Sequence, residues 1–435
     1  GGLGRHGHAV ATQQARDGHD VTVISHVGLT ADDATAEEID EVVQGVRVIR
    51  VARDAPFVPF DAETLMGWVS GLESAMTRRA LHLDRTWKPD VVHAHDWLTA
   101  RAAATVTEEI GVPWVHTIHA TEAGRHQGWL PNGLSRTIHS VEQWSVDHAD
   151  RILVCSRHMK WEVERLFGMS DVAVIPNGID SPPPLVDTTA AASIVTQQGR
   201  PLIVHTGRLE WEKGAHTVIE AMPFIRRALP DAHLVVAGRG SQLDALKELA
   251  HDKDVASRVD FTGWLPDAQL RALVRDADVA VVPSIYEPFG IVALEAAVLG
   301  TPVVTSRAGG LAEFLDSDRH GWSFDAGNAR ELADAVISCV NDAAESRARA
   351  DRAQSHVLAE HGWASITERI VDEYRATQAK VTTRGSGARQ AVGAWWTMSN
   401  STETCCSMAS EMSNDVPDND VPDNDVPDNG VSGPA

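Results

Sequence analysis

Asp278-Val-Ala-Val-Val-Pro-Ser-Ile-Tyr-Glu-Pro-Phe-Gly-Ile-Val-Ala-Leu-Glu-Ala-Ala-Val-Leu-Gly300, followed by Thr301-Pro-Val-Val-Thr-Ser306, is the stretch that decides the fold. Asp278–Ser284 is a short apolar run rich in valine, which reads as a buried strand. A polar turn carrying Glu287 and Pro288 follows. The next apolar segment is rich in Ala and Leu, ends near Gly300 and meets a stop at Thr301-Pro302, which are the marks of a helix. Val303–Ser306 then starts another strand. Strand, turn, helix and strand in succession is the unit of a parallel sheet with helices on its faces.

The same unit recurs in both directions along the chain. Val21–Ser25, Val46–Val51, Val91–Ala94, Trp114–Ile118 and Ile152–Cys155 are short apolar runs. Helical periodicity separates several of them, as in His6–Arg16, Trp97–Glu109 and Leu134–Val146. A second series contains Leu202–Thr206, Leu234–Ala237, Val259–Thr262, Val279–Pro283 and Val303–Ser306. Between the two series lies Ser181-Pro-Pro-Pro184, a linker by composition. The expectation is an α/β protein with two doubly wound parallel-sheet domains, at 1–182 and 201–362, joined by a linker at 183–200. Ligands of such sheets sit at the carboxyl ends of the strands, and with two lobes the cleft between them is the natural site.

Past Lys380 the periodicity stops. Residues 381–435 are rich in Ser, Thr, Gly and Asn, and the unit Asn-Asp-Val-Pro-Asp repeats through Asn414–Asp428. Such a segment cannot bury a core, so it reads as a disordered and dispensable tail. The chain opens at Gly1 and its first methionine is Met66, which reads as a fragment.

The formal charge of −23 argues against nucleic acid and anionic membrane as partners, so any phosphate must be met by a few local cations. Of the four cysteines, Cys155 falls in a strand-like run, Cys339 in a helix-like one, and Cys405 and Cys406 in the tail. None has zinc spacing, and the pattern suits a reducing cytoplasm. No apolar run approaches the length of a membrane span.

Candidate chemistry collects at the ends of strands. Glu287 stands in the loop after Asp278–Ser284. Phe289, Gly290 and Ile291 place backbone N–H groups at a helix N-terminus, which attracts anions. Glu295 lies further along that helix, within reach of the same pocket. Two such carboxylates can accept hydrogen bonds from sugar hydroxyls, whereas two solvated surface glutamates would carry no such loop. His205-Thr-Gly-Arg-Leu-Glu-Trp-Glu-Lys-Gly214 also follows a strand and brings Arg208 and Lys213 to the ligand end. Arg is a planar fork for phosphate and Lys a point charge, although ordinary surface cations look the same in sequence. Gly1-Gly2-Leu3-Gly4 opens a helix and suits close approach to phosphate or sugar. His93 and His95 share one face of a strand, and His119 ends the strand Trp114–Ile118. No compact histidine–carboxylate motif marks a metal site. Gly238-Arg-Gly240 and Gly309-Gly310 are further turns after strands, placed to border a base and a sugar respectively.

These motifs together resemble the retaining glycosyltransferases of family 4, which have the GT-B fold. Gly-Gly-Leu-Gly-Arg-His, His-Ala-His-Asp-Trp, Thr-Ile-His-Ala-Thr-Glu-Ala-Gly-Arg-His, Gly-Arg-Leu-Glu-Trp-Glu-Lys-Gly and Tyr-Glu-Pro-Phe-Gly-Ile-Val-Ala-Leu-Glu carry the likeness, which runs from Gly1 to about Ala379. Within that family the pattern is most similar to actinobacterial glycogen-synthase-like α-(1→4)-glucosyltransferases. The resemblance implies two Rossmann-like lobes facing across a cleft, with a helix at 363–380 crossing back onto the first lobe. It implies a hexosyl donor, ADP-glucose or UDP-glucose with GDP-mannose as an outsider, an α-glucan or oligosaccharide acceptor, and no metal or cofactor. Arg208 and Lys213 would hold the diphosphate, Glu295 the ribose hydroxyls, Glu287 the sugar near its 3-hydroxyl, and His119 the sugar near C6 or the reacting face. Gly2 and the backbone of Phe289–Ile291 would approach phosphate or sugar. The family's first strand has no counterpart ahead of Gly1, so an unpaired slot in the first sheet is expected. A nucleotide-sugar epimerase on the same fold and a catalytically dead sugar-nucleotide binder are the competing readings.

Overall fold

The computed structural model describes residues 2–28, 37–83, 87–181, 200–314, 319–384 and 393–398. Valine-rich runs form the strands because branched side chains suit a pleated surface covered on both faces. In the first lobe these are β1 (Asp20–His26), β2 (Ile39–Val43), β3 (Val46–Val51), β4 (Val91–His95), β5 (Trp114–Ile118), β6 (Arg151–Val154) and β7 (Val172–Val174). The second lobe contains β8 (Leu202–Thr206), β9 (His233–Ala237), β10 (Val259–Gly263), β11 (Val279–Val282), β12 (Val303–Ser306) and β13 (Trp322–Phe324). Its sheet is parallel throughout, in the order β10-β9-β8-β11-β12-β13. Near its middle, β8 and β11 lie side by side, so the loops after them emerge together.

The first sheet has the order β2-β3-β1-β14-β4-β5-β6-β7, where β14 is Gly393–Met398. Here the expectation of a wholly disordered tail is corrected. Residues 393–398 lie as a parallel strand between β1 and β4, pairing Asp20 with Gly393 and Val91 with Ala394. The physical reason is the demand of the slot itself. Two facing rows of N–H and C=O groups would otherwise be buried without partners, and a segment of high strand propensity satisfies both. The repeat at 414–428, Cys405, Cys406 and nearly all of the expected linker lie outside the described residues.

Three other strands are absent from the sequence reading. β2 is an antiparallel edge strand whose residues are largely exposed, so it lacks an apolar run. β7 and β13 have three residues each, too few for a period to show. The helix Trp363–Arg384 packs Trp363, Ile366, Ile370, Val371 and Tyr374 against Val10, Val21, Val91 and Leu153 of the first lobe. A parallel bridge from Ile179 to Gly362, with the Ile179 N–H donating to the His361 carbonyl at 2.7 Å, ties the two crossings between lobes together.

One apolar cluster runs through both lobes, from Ile118, Val154 and Met159 to Val204, Phe289 and Leu294. Cys155 and Cys339 are buried free thiols, and burial raises the Cys339 pKa to about 11. Among the described residues no helix is long and apolar enough to cross a membrane.

Candidate active site

The loops after β8 and β11 are joined by their backbones. The N–H groups of Ile285 and Tyr286 both point at the Glu212 carbonyl, at 2.8 and 3.3 Å. Gly214 sits at φ +71° under the Pro283 carbonyl, where any Cβ would collide with it. Only glycine permits that conformation and that approach together. Behind the second loop, the Gly310 N–H donates to the Glu287 carbonyl at 2.8 Å, and a Cβ on Gly310 would strike the Pro288 carbonyl. Gly309-Gly310 therefore backs the Glu287 loop.

This joining brings Lys213 onto Glu287. Nζ donates to Oε2 at 2.9 Å, and the same oxygen accepts from Ser284 Oγ at 3.0 Å. Arg208 Nη2 meets Glu212 Oε1 at 3.0 Å. Burial pushes the Glu212 carboxyl up, but Arg208, Lys213 and Arg125 more than offset it and hold it below its ordinary range. Arg125 comes from the other lobe, in the short helix Glu122–Arg125. The sequence reading quoted it within a motif and gave it no role. Its part here is to add a third positive charge to the same pocket.

The helix Ile291–Val298 begins directly after Gly290 at φ +102°, and no side chain caps its N-terminus. Gly2 lies against that start, since a Cβ there would stand 3.7 Å from Ile291 Cδ1. Gly2 and Gly4 fall within the first helix, Gly2–Arg16, and not in a turn ahead of it. Glu295 is paired with Arg5 of that helix, and Arg5 also reaches Asp267 at 2.9 Å. The helix therefore contributes both Gly2 and Arg5 to the opposite lobe.

On the first lobe, β4 and β5 end side by side. His119 follows β5, and its N–H donates to Asp96 Oδ1 at 2.8 Å. Asp96 sits at φ +53°, a conformation uncommon for a residue other than glycine, and such strain persists where a side chain must be aimed. Burial raises the Asp96 carboxyl to about 6 against the opposing help of the backbone N–H groups it accepts from. His119 is neutral, because burial lowers its pKa to about 3. Its Nε2 stands 3.0 Å from His95 Nδ1, and the His6 ring meets it edge-on at 4.9 Å. In sequence His93 and His95 share a strand face and His119 ends a strand, whereas His6, the last residue of the Gly-Gly-Leu-Gly-Arg-His motif, lies 113 positions before His119 and joins them only through the fold.

The lobes close on one another through these strand ends. Tyr286 Oη donates to Glu162 Oε1 at 2.9 Å, and Thr121 Oγ1 reaches the same oxygen at 2.6 Å. Ser156 Oγ donates to the Pro288 carbonyl at 2.6 Å, and the Arg157 and His158 N–H groups to Glu313 at 2.8 and 2.6 Å. A carboxylate held by lysine, a second cation pair, a helix N-terminus and a neutral histidine thus border one cleft. Such a cleft can hold an anionic leaving group on one side and a hydroxyl-rich ring on the other.

Residues 1–181 match the family described as Glycosyltransferase Family 4, and residues 187–356 match Glycosyl transferases group 1. The chain is 42% identical over 385 residues to the glycogen synthase of Mycobacterium tuberculosis, covering 87% of this chain and 92% of that protein. It is 33% identical to an uncharacterized glycosyltransferase of Methanocaldococcus jannaschii, covering 86% and 94% respectively. Among solved structures, sucrose-phosphate synthase from Thermosynechococcus elongatus superposes with a TM-score of 0.73 at 24% identity, covering 87% of this chain and 94% of that one. The Anabaena protein HepE in complex with UDP-glucose does so with 0.65 at 18% identity, covering 82% and 99%. At such identities these structures speak for the fold.

Proposed function

The chain belongs to the glycosyltransferases of family 4 and group 1, with the GT-B fold, and from that premise we propose that it moves a glucosyl unit, with retention, from ADP-glucose or UDP-glucose to an α-glucan or related oligosaccharide. The observation that carries this reading is the joining of the β8 and β11 loops, which sets Lys213 on Glu287 just ahead of the helix Ile291–Val298, with Arg208 on the neighbouring Glu212. A nucleoside diphosphate gains negative charge as its bond to the sugar breaks. Cations and N–H groups already aimed at that place stabilise the transition state more than the ground state.

In this scheme Lys213 and Arg208 exchange part of their carboxylate contact for the diphosphate. Glu295 accepts from the ribose hydroxyls, Glu287 from the sugar near its 3-hydroxyl, and His119 faces the sugar near C6. Gly2 and the backbone of Phe289–Ile291 lie close to phosphate or sugar. The acceptor hydroxyl attacks the anomeric carbon from the face the diphosphate leaves. The bond from that carbon to the phosphate oxygen breaks, the new glycosidic bond forms, and the acceptor proton passes to the departing phosphate. Charge compensation comes from side chains, so transfer requires no metal or cofactor. A nucleotide-sugar donor and buried free thiols both suit the cytoplasm.

The test supplies ADP-glucose, UDP-glucose and GDP-mannose, each with a malto-oligosaccharide in EDTA, and follows the product by proton NMR. An α-configured, lengthened chain from one of the glucose donors is expected. A β-linked product would overturn retention. Epimerised free nucleotide sugar, or donor binding without turnover by folded protein, would overturn the transferase reading.

A further inference from the structure

Three imidazoles meet where the first helix crosses the ends of β4 and β5. One ligand nitrogen from each of His6, His95 and His119 lies within 4.8 Å of the other two. His95 Nδ1 and His119 Nε2 are 3.0 Å apart. Two nitrogens bound to one tetrahedral zinc at 2.0–2.1 Å would be about 3.3 Å apart, so this pair already has nearly the right bite. The third nitrogen, within 4.8 Å of the others, needs to close by up to about 1.5 Å to complete the set.

The surroundings favour ligation over a simple hydrogen-bonded core. His6 is 4% exposed, and its one polar side-chain partner outside the trio is the buried Asn177, which can engage only one of the two ring nitrogens and leaves the other unmet. Leaving such a nitrogen unmet costs about 1–3 kcal/mol, so a buried imidazole of this kind calls for an explanation such as an ion. Burial holds all three rings neutral, which is the form that binds metal. The His95 ring is set from behind by His93, stacked on it at 4.3 Å, whose nitrogens are engaged by Tyr374 Oη at 2.6 Å and Thr117 Oγ1 at 2.7 Å. The half-buried His119 gives the trio its opening to the cleft.

We propose that His6, His95 and His119 form a three-imidazole site for a divalent transition ion of the zinc type, and that an ion held there inhibits transfer by taking the His119 ring away from the sugar. The fourth position stays open towards the cleft. When the ion enters, the proton between His95 and His119 moves to the far nitrogen of its ring, so no charge is lost. The inhibition clause rests on the proposed transferase reading; the binding clause does not.

The full chain is titrated with Co2+ and Zn2+. One Co2+ per chain with visible absorption of tetrahedral intensity is expected. His6→Phe keeps an aromatic ring against Trp363 and removes both nitrogens; it should weaken binding by more than the ~10–100-fold that changes around a ligand cost. X-ray absorption on the zinc form of the unaltered protein should show three imidazoles, which decides the matter even if the variant does not fold. No bound ion, undiminished binding by folded His6→Phe, or a carboxylate-rich zinc shell would overturn the site. Zinc bound as expected, with donor turnover unchanged at saturation, would overturn the inhibition.

Discussion

Asp96 shows how much of this site is set by one residue that touches no expected ligand. Its carboxylate fixes the His119 backbone, and its own backbone is held at positive φ to do so. Because burial raises its pKa to about 6, it is ionised above that value and protonated below it. Activity is therefore expected to fall as pH drops through about 6, and Asp96→Asn, neutral at every pH like the protonated acid, should lose that limb by holding activity at the low acid-side level throughout. An unchanged limb in the variant would show that another group titrates. Glu295→Ala should weaken donor binding about 10–100-fold, the worth of losing charged hydrogen bonds to the ribose; calorimetry with the nucleoside diphosphate measures it, and equal affinity would remove Glu295 from the site. At this scale the sequence exposed the charged loops, because Glu287, Arg208 and Lys213 stand just beyond obvious strands. It could not expose Arg125, which meets Glu212 only when the two lobes come together, or His6, which meets His95 and His119 only when the first helix packs on the ends of β4 and β5.

Among the elements, the parallel core strands were legible because each is a short valine-rich run with a turn behind it. β2 was hidden by its exposure and β7 and β13 by their brevity. β14 was hidden by its place in the chain. Gly393-Ala-Trp-Trp-Thr-Met398 is a plausible strand by composition, but nothing local reveals that it belongs between β1 and β4, over 290 residues away. The tail accordingly read as dispensable, whereas residues 393–398 of it pair within the first sheet. Trp396→Pro removes a backbone N–H from the middle of this strand and leaves its ladder partner unmet, which should cost about 1–3 kcal/mol, read as a lower denaturant midpoint. Removing residues 385–435 should be worse, leaving two strand edges open to aggregation. Full stability of either variant would show that the sheet does not depend on β14.

For the molecule as a whole, two buried carboxyls couple stability to pH. Glu73, 6% exposed, accepts the Arg101 N–H at 2.8 Å, and burial raises its pKa from 4.5 to about 7. Glu142 is raised to about 7 in the same way. Between about pH 4.5 and 7 these two groups keep protons in the folded chain that they have released in the unfolded one, so their contribution to stability falls as pH rises through that window. For Glu73 the full effect is about 3 kcal/mol. Glu73→Gln, which still accepts from the Arg101 N–H, should raise the denaturant midpoint at pH 8 relative to that at pH 5, compared with the unaltered protein; the same difference between the two pH values in both proteins would place the coupling elsewhere. Both lobes and the clasp between them serve one claim, that Lys213 and Arg208 stabilise a departing nucleoside diphosphate in the cleft. Acceptor-dependent release of that diphosphate, measured side by side for the unaltered protein and Lys213→Ala at saturating donor, tests it most directly. Release is expected only when an α-glucan is present, slowed about 100–1,000-fold in the variant. Equal rates in the two proteins would contradict it.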